Sequence, residues 1–389
     1  MRVTMLVRCL AMMRGGGETR HLAWARELAA LGVDVDIIAG RPLVFGGPRY
    51  PIDDLAPATV TLLRSPYTRD FVYRRQRQRG FGRLTMMVLH ADEEWFCRAA
   101  WKLIASRSVK PDVVHAHALY QAARLRVGDI PVVINLPGEP HARYLDDLRR
   151  ADALIADGWA AEQVPRTLGL PVARVSKGVD AERFQPNGAS MRASLRLDDR
   201  RVVLTVARLV PIKRVELLVE AFAAVRARVP EAHLVVVGEG PERDAIRQRA
   251  ADVGVLDAMT FVGSIAHRET PAFYRAADVF ALSSDFDNSP NVIPEAMASG
   301  LPIVSTDAGG VRQFVDEPEG GAIVPRGDAA ALARALERYV VSPSESRAAG
   351  VYNRRKAASE FSWPASAAQL LAVYQRVAGR QATEQRASA

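Results

Sequence analysis

Val202-Val203-Leu204-Thr205-Val206-Ala207 is an apolar run broken by one hydroxyl. It has no polar alternation, so it reads as a parallel strand covered on both faces. Downstream, Leu217, Leu218, Ala221, Phe222 and Val225 recur at helical spacing and line one face. Leu234-Val235-Val236-Val237 then repeats the strand pattern. The same alternation extends outward in both directions. Strands are expected at 202–207, 234–237, 259–262, 279–282, 303–305 and 322–324. An earlier series is expected at 3–7, 33–39, 112–115, 132–135 and 153–156. This βαβα order predicts doubly wound parallel α/β sheets, with strands enough for two.

The chain has 389 residues, more than one ordinary core holds, so two domains are expected. Phe184-Gln185-Pro186-Asn187-Gly188 reads as a turn or linker. The expected division is 1–183 and 184–364, with a helical stretch at 365–378 able to complete the first domain. Apolar content of 49% and charged content of 25% belong to the soluble globular class. No apolar run reaches the roughly 18 residues of a membrane-crossing helix. The first residues read as a buried strand rather than a signal peptide. Cys9 and Cys97 do not make a disulfide framework and read as small buried hydrophobes. Together these features predict a cytoplasmic protein.

The net charge is +8, and much of it is local. Arg64, Arg69, Arg74, Arg75, Arg77, Arg79 and Arg83 crowd one segment opposed only by Asp70. A solvated loop or helix face is one reading. Peripheral contact with an anionic membrane surface, at its inner face, or with an acidic acceptor is the other. No helix-turn-helix, zinc-finger or RNA-binding pattern accompanies the charge, so nucleic acid is not expected.

Four stretches carry candidate chemistry. Gly15-Gly16-Gly17-Glu18 follows the first strand, where glycines let backbone N–H groups approach an anion. A tight turn without a ligand is the competing reading. Arg208 and Lys213 follow the first strand of the second half, at the edge where such sheets bind ligands. Arginine takes phosphate oxygens bidentately, and lysine acts as a point charge. Asp287 and Glu295 flank Asn288-Ser289-Pro290-Asn291-Val292. Pro290 suits a first helical position, which would aim the N–H groups of Asn291 and Val292 outward. Pro294 should either remove a helical hydrogen bond or mark a later helix start. His115 and His117 point the same way on a strand, but no acidic or cysteine cluster joins them, so no metal is expected. One is expected in the core and the other at a cleft.

These motifs resemble the retaining GT-B glycosyltransferases of the "glycosyl transferases group 1" family, over nearly the whole chain. Gly15-Gly16-Gly17-Glu18 resembles the family's G-G-x-E loop, and the Asp112-Val113-Val114-His115-Ala116-His117 stretch its D-V-V-H-x-H strand. Lys177-Gly178-Val179-Asp180 with Phe184 and Pro186 resembles its N-G-V-D…F-x-P link. Ala207-Arg208-Leu209 with Lys213 resembles its G-R-L…K element. Val237-Gly238-Glu239-Gly240-Pro241 matches its V-G-x-G-P turn, and Asp287 through Glu295 its E-x7-E signature. The resemblance implies two Rossmann-like domains facing across a cleft, acceptor on the first and nucleotide-sugar donor on the second. It implies that Arg208 and Lys213 bind the diphosphate, Glu295 the ribose and Asp287 the transferred sugar. It further implies donor contacts from backbone at Gly16, Gly17, Asn291 and Val292. Backbone at Ser264 and Ile265 would edge the base. The family needs no bound metal.

Three departures stand out. Asp287 replaces the family's first Glu, and Lys177 its Asn. Pro137-Gly138 stands where the family often carries His-Gly, which leaves His117 as the candidate histidine near the donor sugar. The expected reaction is transfer to a hydroxyl acceptor from a nucleotide-diphosphate sugar, a UDP-sugar first. A nucleotide-sugar epimerase or hydrolase, and a silent sugar-binding subunit, are the rivals.

Overall fold

The structure, a computed structural model, describes residues 1–12, 16–42, 58–65 and 82–388. The chain divides into two compact units, Met1–Ser176 with Ser366–Ala389, and Lys177–Ala365.

In the first unit the described strands are β1 (Arg2–Leu6), β2 (Asp34–Pro42), β3 (Thr59–Ser65), β4 (Val113–His117), β5 (Val132–Leu136), β6 (Ala153–Ala156) and β7 (Val172–Arg174). They lie in the order β3-β2-β1-β4-β5-β6-β7, parallel throughout. Helix α1 (Gly16–Ala30) follows β1, α2 (Gly82–Ser106) precedes β4, and α3 (Gly158–Leu168) follows β6. Strand order reverses between β1 and β4, so the carboxyl ends of those two strands frame the crevice of this sheet.

The second unit repeats the plan. Strands β8 (Arg201–Val206), β9 (Ala232–Val237), β10 (Met259–Gly263), β11 (Val279–Leu282), β12 (Ile303–Thr306) and β13 (Gly321–Val324) lie in the order β10-β9-β8-β11-β12-β13. Helices α4 (Val215–Arg228), α5 (Arg243–Asp252), α6 (Val292–Ala298), α7 (Ala329–Val341) and α8 (Pro343–Glu360) belong to it. The lack of alternation in β8 now has its cause. Val203 enters a cluster with Leu218, Phe222 and Val225 of α4, whereas Leu204 enters a cluster on the other face with Ile293 and Met297 of α6. Both faces are dry, and full burial of a side chain such as Phe222 is worth about 2–3 kcal/mol. The reversal lies between β8 and β11.

The last helix, α9 (Trp363–Ser388), lies almost wholly in the first unit. Trp24 of α1 donates to Ser366 Oγ at 2.7 Å, and the Ser176 N–H donates to the Gln369 side chain at 2.8 Å.

Two strands were not expected. β3, Thr59-Val60-Thr61-Leu62-Leu63-Arg64-Ser65, is mostly half-buried at one edge, and β7 has three residues at the opposite edge. Arg64, read as part of a loop or helix, is an exposed residue of β3. The rest of the arginine-rich segment, Arg69 through Arg79, lies outside the described residues, as do Arg14 and Gly15; Arg83 lies in α2. Cys9 and Cys97 are both buried. Among the described residues no helix is long and apolar enough to cross a membrane.

Candidate active site

The second unit gathers Arg208, Lys213 and Asp287 at the switch point of its sheet. Gly238 and Gly240, after β9, make this possible for the segment after β8. A Cβ at Gly238 would stand 1.8 Å from the Ala207 carbonyl oxygen, and one at Gly240 2.1 Å from that of Leu209. The Leu209 N–H donates to the Glu239 carbonyl at 2.9 Å, and the Glu242 N–H to the Leu209 carbonyl at 3.1 Å. Arg208 therefore stands on a laced backbone. Its side chain is exposed and makes no ion pair among the described residues.

Lys213 ends the short 3₁₀ turn Pro211–Lys213. Its Nζ donates to both Asp287 oxygens, at 2.6 and 2.8 Å, with each side chain about one-sixth exposed. Asp287 is fixed from behind: its N–H donates to the Ala308 carbonyl and its carbonyl accepts from the Gly310 N–H, both at 2.9 Å. The glycine pair Gly309-Gly310 thus braces the acidic loop. Lys177, where the resembled family has Asn, donates from Nζ to the Ser289 carbonyl at 2.8 Å and holds the same loop.

Glu295 lies on α6 and is 8% exposed. Helix α6 starts at Val292, so Pro290 precedes the helix instead of opening it. The later start also removes any cost at Pro294. It is the third helical residue, whose N–H would have no partner inside the helix. Asn291 is exposed and Val292 half-buried at this start.

Both Glu295 oxygens are occupied by residues that no sequence motif singles out. Oε1 meets His267 Nε2 at 2.8 Å, and Oε2 accepts from the Tyr274 hydroxyl at 2.9 Å. Burial, then the neighbouring carboxylate, holds the Tyr274 hydroxyl well above its usual range, so it stays a donor. A carboxylate has about four lone-pair sites, so Glu295 retains acceptor capacity for a ligand diol. Phe184 of the link packs against both partners, with ring centroids 5.5 Å from His267 and 5.7 Å from Tyr274. Ser264 is exposed and Ile265 half-buried just after β10. Ile265 also lines a cavity of about 480 Å³ with Arg183, Met191, Arg268 and Phe273; neither Arg208, Lys213, Asp287 nor Glu295 lines it.

In the first unit, Gly16 and Gly17 open α1 and His117 ends β4, at that sheet's own switch point. Gly17 is glycine for a steric reason: a Cβ there would stand 2.3 Å from His117 Nε2. His117 Nδ1 lies 2.9 Å from Asn135 Oδ1 of β5. His115 is fully buried and His117 half-buried, so the two histidines have different surroundings although they point the same way. His21, one turn after Gly17, completes the cluster. Its ring centroid is 4.4 Å from that of His117 and 5.0 Å from that of His115. Only its spacing from Gly17 could have flagged it.

Comparison with known proteins adds sequence kinship. The family model described as "Glycosyl transferases group 1" matches residues 188–357. A GDP-mannose-dependent alpha-(1-6)-phosphatidylinositol monomannoside mannosyltransferase of Mycobacterium tuberculosis is 34% identical over 203 residues, which are 50% of this chain and 53% of that protein. The chain thus spans about half the length of that relative. A D-inositol 3-phosphate glycosyltransferase of Saccharomonospora viridis is 32% identical over 300 residues, 72% of this chain and 66% of that one. Among solved structures, a sucrose-phosphate synthase from Thermosynechococcus elongatus superposes with a TM-score of 0.74 at 23% identity, covering 97% of this chain and 98% of that one. That likeness speaks for the fold alone.

Proposed function

Because the chain belongs to the glycosyl transferases group 1 family, we propose that it is a retaining glycosyltransferase. It moves a sugar from a nucleoside-diphosphate sugar to a hydroxyl of an acceptor. The observation that carries this reading is the set Arg208, Lys213, Asp287 and Glu295, held on the second unit inside the family-matched residues.

Arg208 and Lys213 take the diphosphate, and Glu295 accepts from the ribose diol. Asp287 has two duties. It aligns Lys213, and it offers lone pairs to the transferred sugar. It meets Lys213 through both oxygens, so the two groups enter the reaction as a pair. Gly16 and Gly17, with backbone at Asn291 and Val292, supply N–H groups to the donor. Ser264 and Ile265 edge the base, and His117 meets the transferred sugar. The bond from the anomeric carbon to the diphosphate oxygen breaks, and the negative charge that builds on the leaving group is stabilised by the two cations. The acceptor oxygen bonds to the same face of that carbon, and its proton passes to the leaving phosphate.

The relatives' names support GDP-mannose as the first donor to try, ahead of the UDP-sugar expected from the sequence, and an inositol-containing acceptor. The roles of the two units, acceptor on the first and donor on the second, belong to the same proposal. So does peripheral contact of segment 64–83 with an anionic membrane surface; vesicle co-sedimentation that survives charge reversal of those arginines would remove it.

The test is thermal melting against GDP, UDP and ADP and their sugar conjugates. A ligand at about 100 times its Kd adds roughly 2.7 kcal/mol. One nucleotide should stabilise the protein, Lys213→Ala should abolish the shift, and turnover should fall by about 100-fold or more. Near-wild-type turnover in Lys213→Ala would show the site to be wrongly placed.

A further inference from the structure

Two of the three histidines near Gly17, His21 and His115, are more than core filling, because their hydrogen bonds fix one another's protons. The Gly17 carbonyl can only accept, and His21 Nδ1 lies 2.7 Å from it. Nδ1 of His21 therefore carries the hydrogen. In a neutral ring that leaves Nε2 with the lone pair. His115 Nε2 lies 3.4 Å from it and must be the donor; at that separation this is the longest and weakest link. His115 Nδ1 is then the acceptor, and the partner beside it is the Tyr374 hydroxyl of α9.

Both rings do stay neutral. His115 is held at about 3, mainly by burial and then by the nearby His117 and Arg20. His21 is pushed well below its usual range, again mainly by burial, with His117, His115 and Arg20 adding to it and only the Gly17 carbonyl opposing. Arg20 is itself locked to Asp157 by two 2.9 Å hydrogen bonds.

We propose that Tyr374, His115 and His21 form a one-way chain of hydrogen bonds that holds the Gly17 carbonyl and so sets the backbone at the start of α1. The three are positioning residues. This rests on the assignment of Gly16 and Gly17 to the donor. Gly17 has no side chain with which to fix itself, and His117 leaves no room for one. The last helix of the chain thereby sets the aim of its first glycine loop.

The chain can be read directly by ¹⁵N NMR of histidine-labelled protein. His21 should appear as the Nδ1–H tautomer and His115 as the Nε2–H tautomer, both neutral at pH 6. Tyr374→Phe removes one oxygen and keeps the ring. It should shift His115 Nδ1, His21 Nε2 and the Gly17 carbonyl, the last seen through ¹³C-glycine and ¹⁵N-glutamate labels at Gly17-Glu18. With GDP-mannose it should lower kcat roughly tenfold and change KM little, as misaiming without lost contacts does. Trp24, the partner of Ser366, packs on the rings of both His21 and His115, so Gln369→Ala is the cleaner control: it loosens the same helix from Ser176 and should cost stability while leaving kcat as it was.

The opposite tautomer at either ring, or a Tyr374→Phe effect that stops at His115, overturns the proposal. So does an equal loss of kcat in Gln369→Ala, which would mean general loosening. If no nucleotide sugar is turned over at all, the proposed function fails, and the nitrogen and carbonyl shifts still decide the chain.

Discussion

Gly17→Ala separates two physical expectations of opposite sign. Gly17 lies inside α1 with ordinary helical backbone, so helix propensity alone predicts a gain of up to about 1 kcal/mol from alanine. The close approach predicts the reverse. The new Cβ would sit 2.3 Å from His117 Nε2 and 2.8 Å from Cε1, whereas unstrained contacts need about 3.5 Å. One side must move by about 1 Å. His117 cannot swing away without breaking its 2.9 Å contact with Asn135, and α1 is pinned by Trp24 and by Arg20. Overpacking of this kind costs about 1–3 kcal/mol. The net expectation is a loss of about 1–2 kcal/mol, seen as a fall in Tm of roughly 2–8 °C for a domain of this size. Calorimetry or urea unfolding measures it. His117→Ala in the same chain should return most of the loss, since the two changes touch one contact and must couple. Turnover should stay low in the double variant, because the proposed sugar contact is gone. A single variant as stable as wild type would refute the packing argument, and with it the reason given for glycine at this position.

Two further expectations concern the second unit. Tyr274→Phe leaves Glu295 Oε2 without its donor and should weaken GDP or UDP binding by about 1–2 kcal/mol in titration calorimetry, with kcat less affected; unchanged affinity would mean that His267 alone orients the carboxylate. His233 is held at about 4, by burial first and then by Arg200 and Arg226, and meets Thr260 Oγ1 at 2.8 Å. Its folded value is depressed, so the unfolded chain takes up the proton first and stability falls as pH drops from about 6.5 towards 4. His233→Asn should flatten that part of the stability–pH curve; an unchanged slope would assign the acid sensitivity elsewhere.

The sequence was most legible where burial is symmetrical. Strands β8, β9 and β11 are covered on both faces, so their patterns are apolar runs without polar alternation and their positions follow. β3 escaped because its seven residues lie at a sheet edge and are mostly only half-buried, and β7 because it has three residues. The spacing of Asp287 and Glu295 was readable, since loop and helix start are local features. Their partners were not. His267 and Tyr274 reach Glu295 across 28 and 21 residues, and Lys177 reaches Ser289 across 112, contacts that no local pattern encodes. The placing of Pro290 outside the helix shows the same limit: a proline marks a helix start only to within a turn.

Helix α9 also has a consequence for the order in which the protein is made. The first unit needs Ser366 for Trp24 and Tyr374 for His115, yet these residues leave the ribosome after the whole of the second unit. At about 5–20 residues per second, the interval between Ser176 and Ser366 is roughly 10–40 s. During it, Trp24 and His115 lack their final partners, while the second unit, contiguous in the chain, can close as soon as it is complete. The half synthesised first is therefore the half that finishes last.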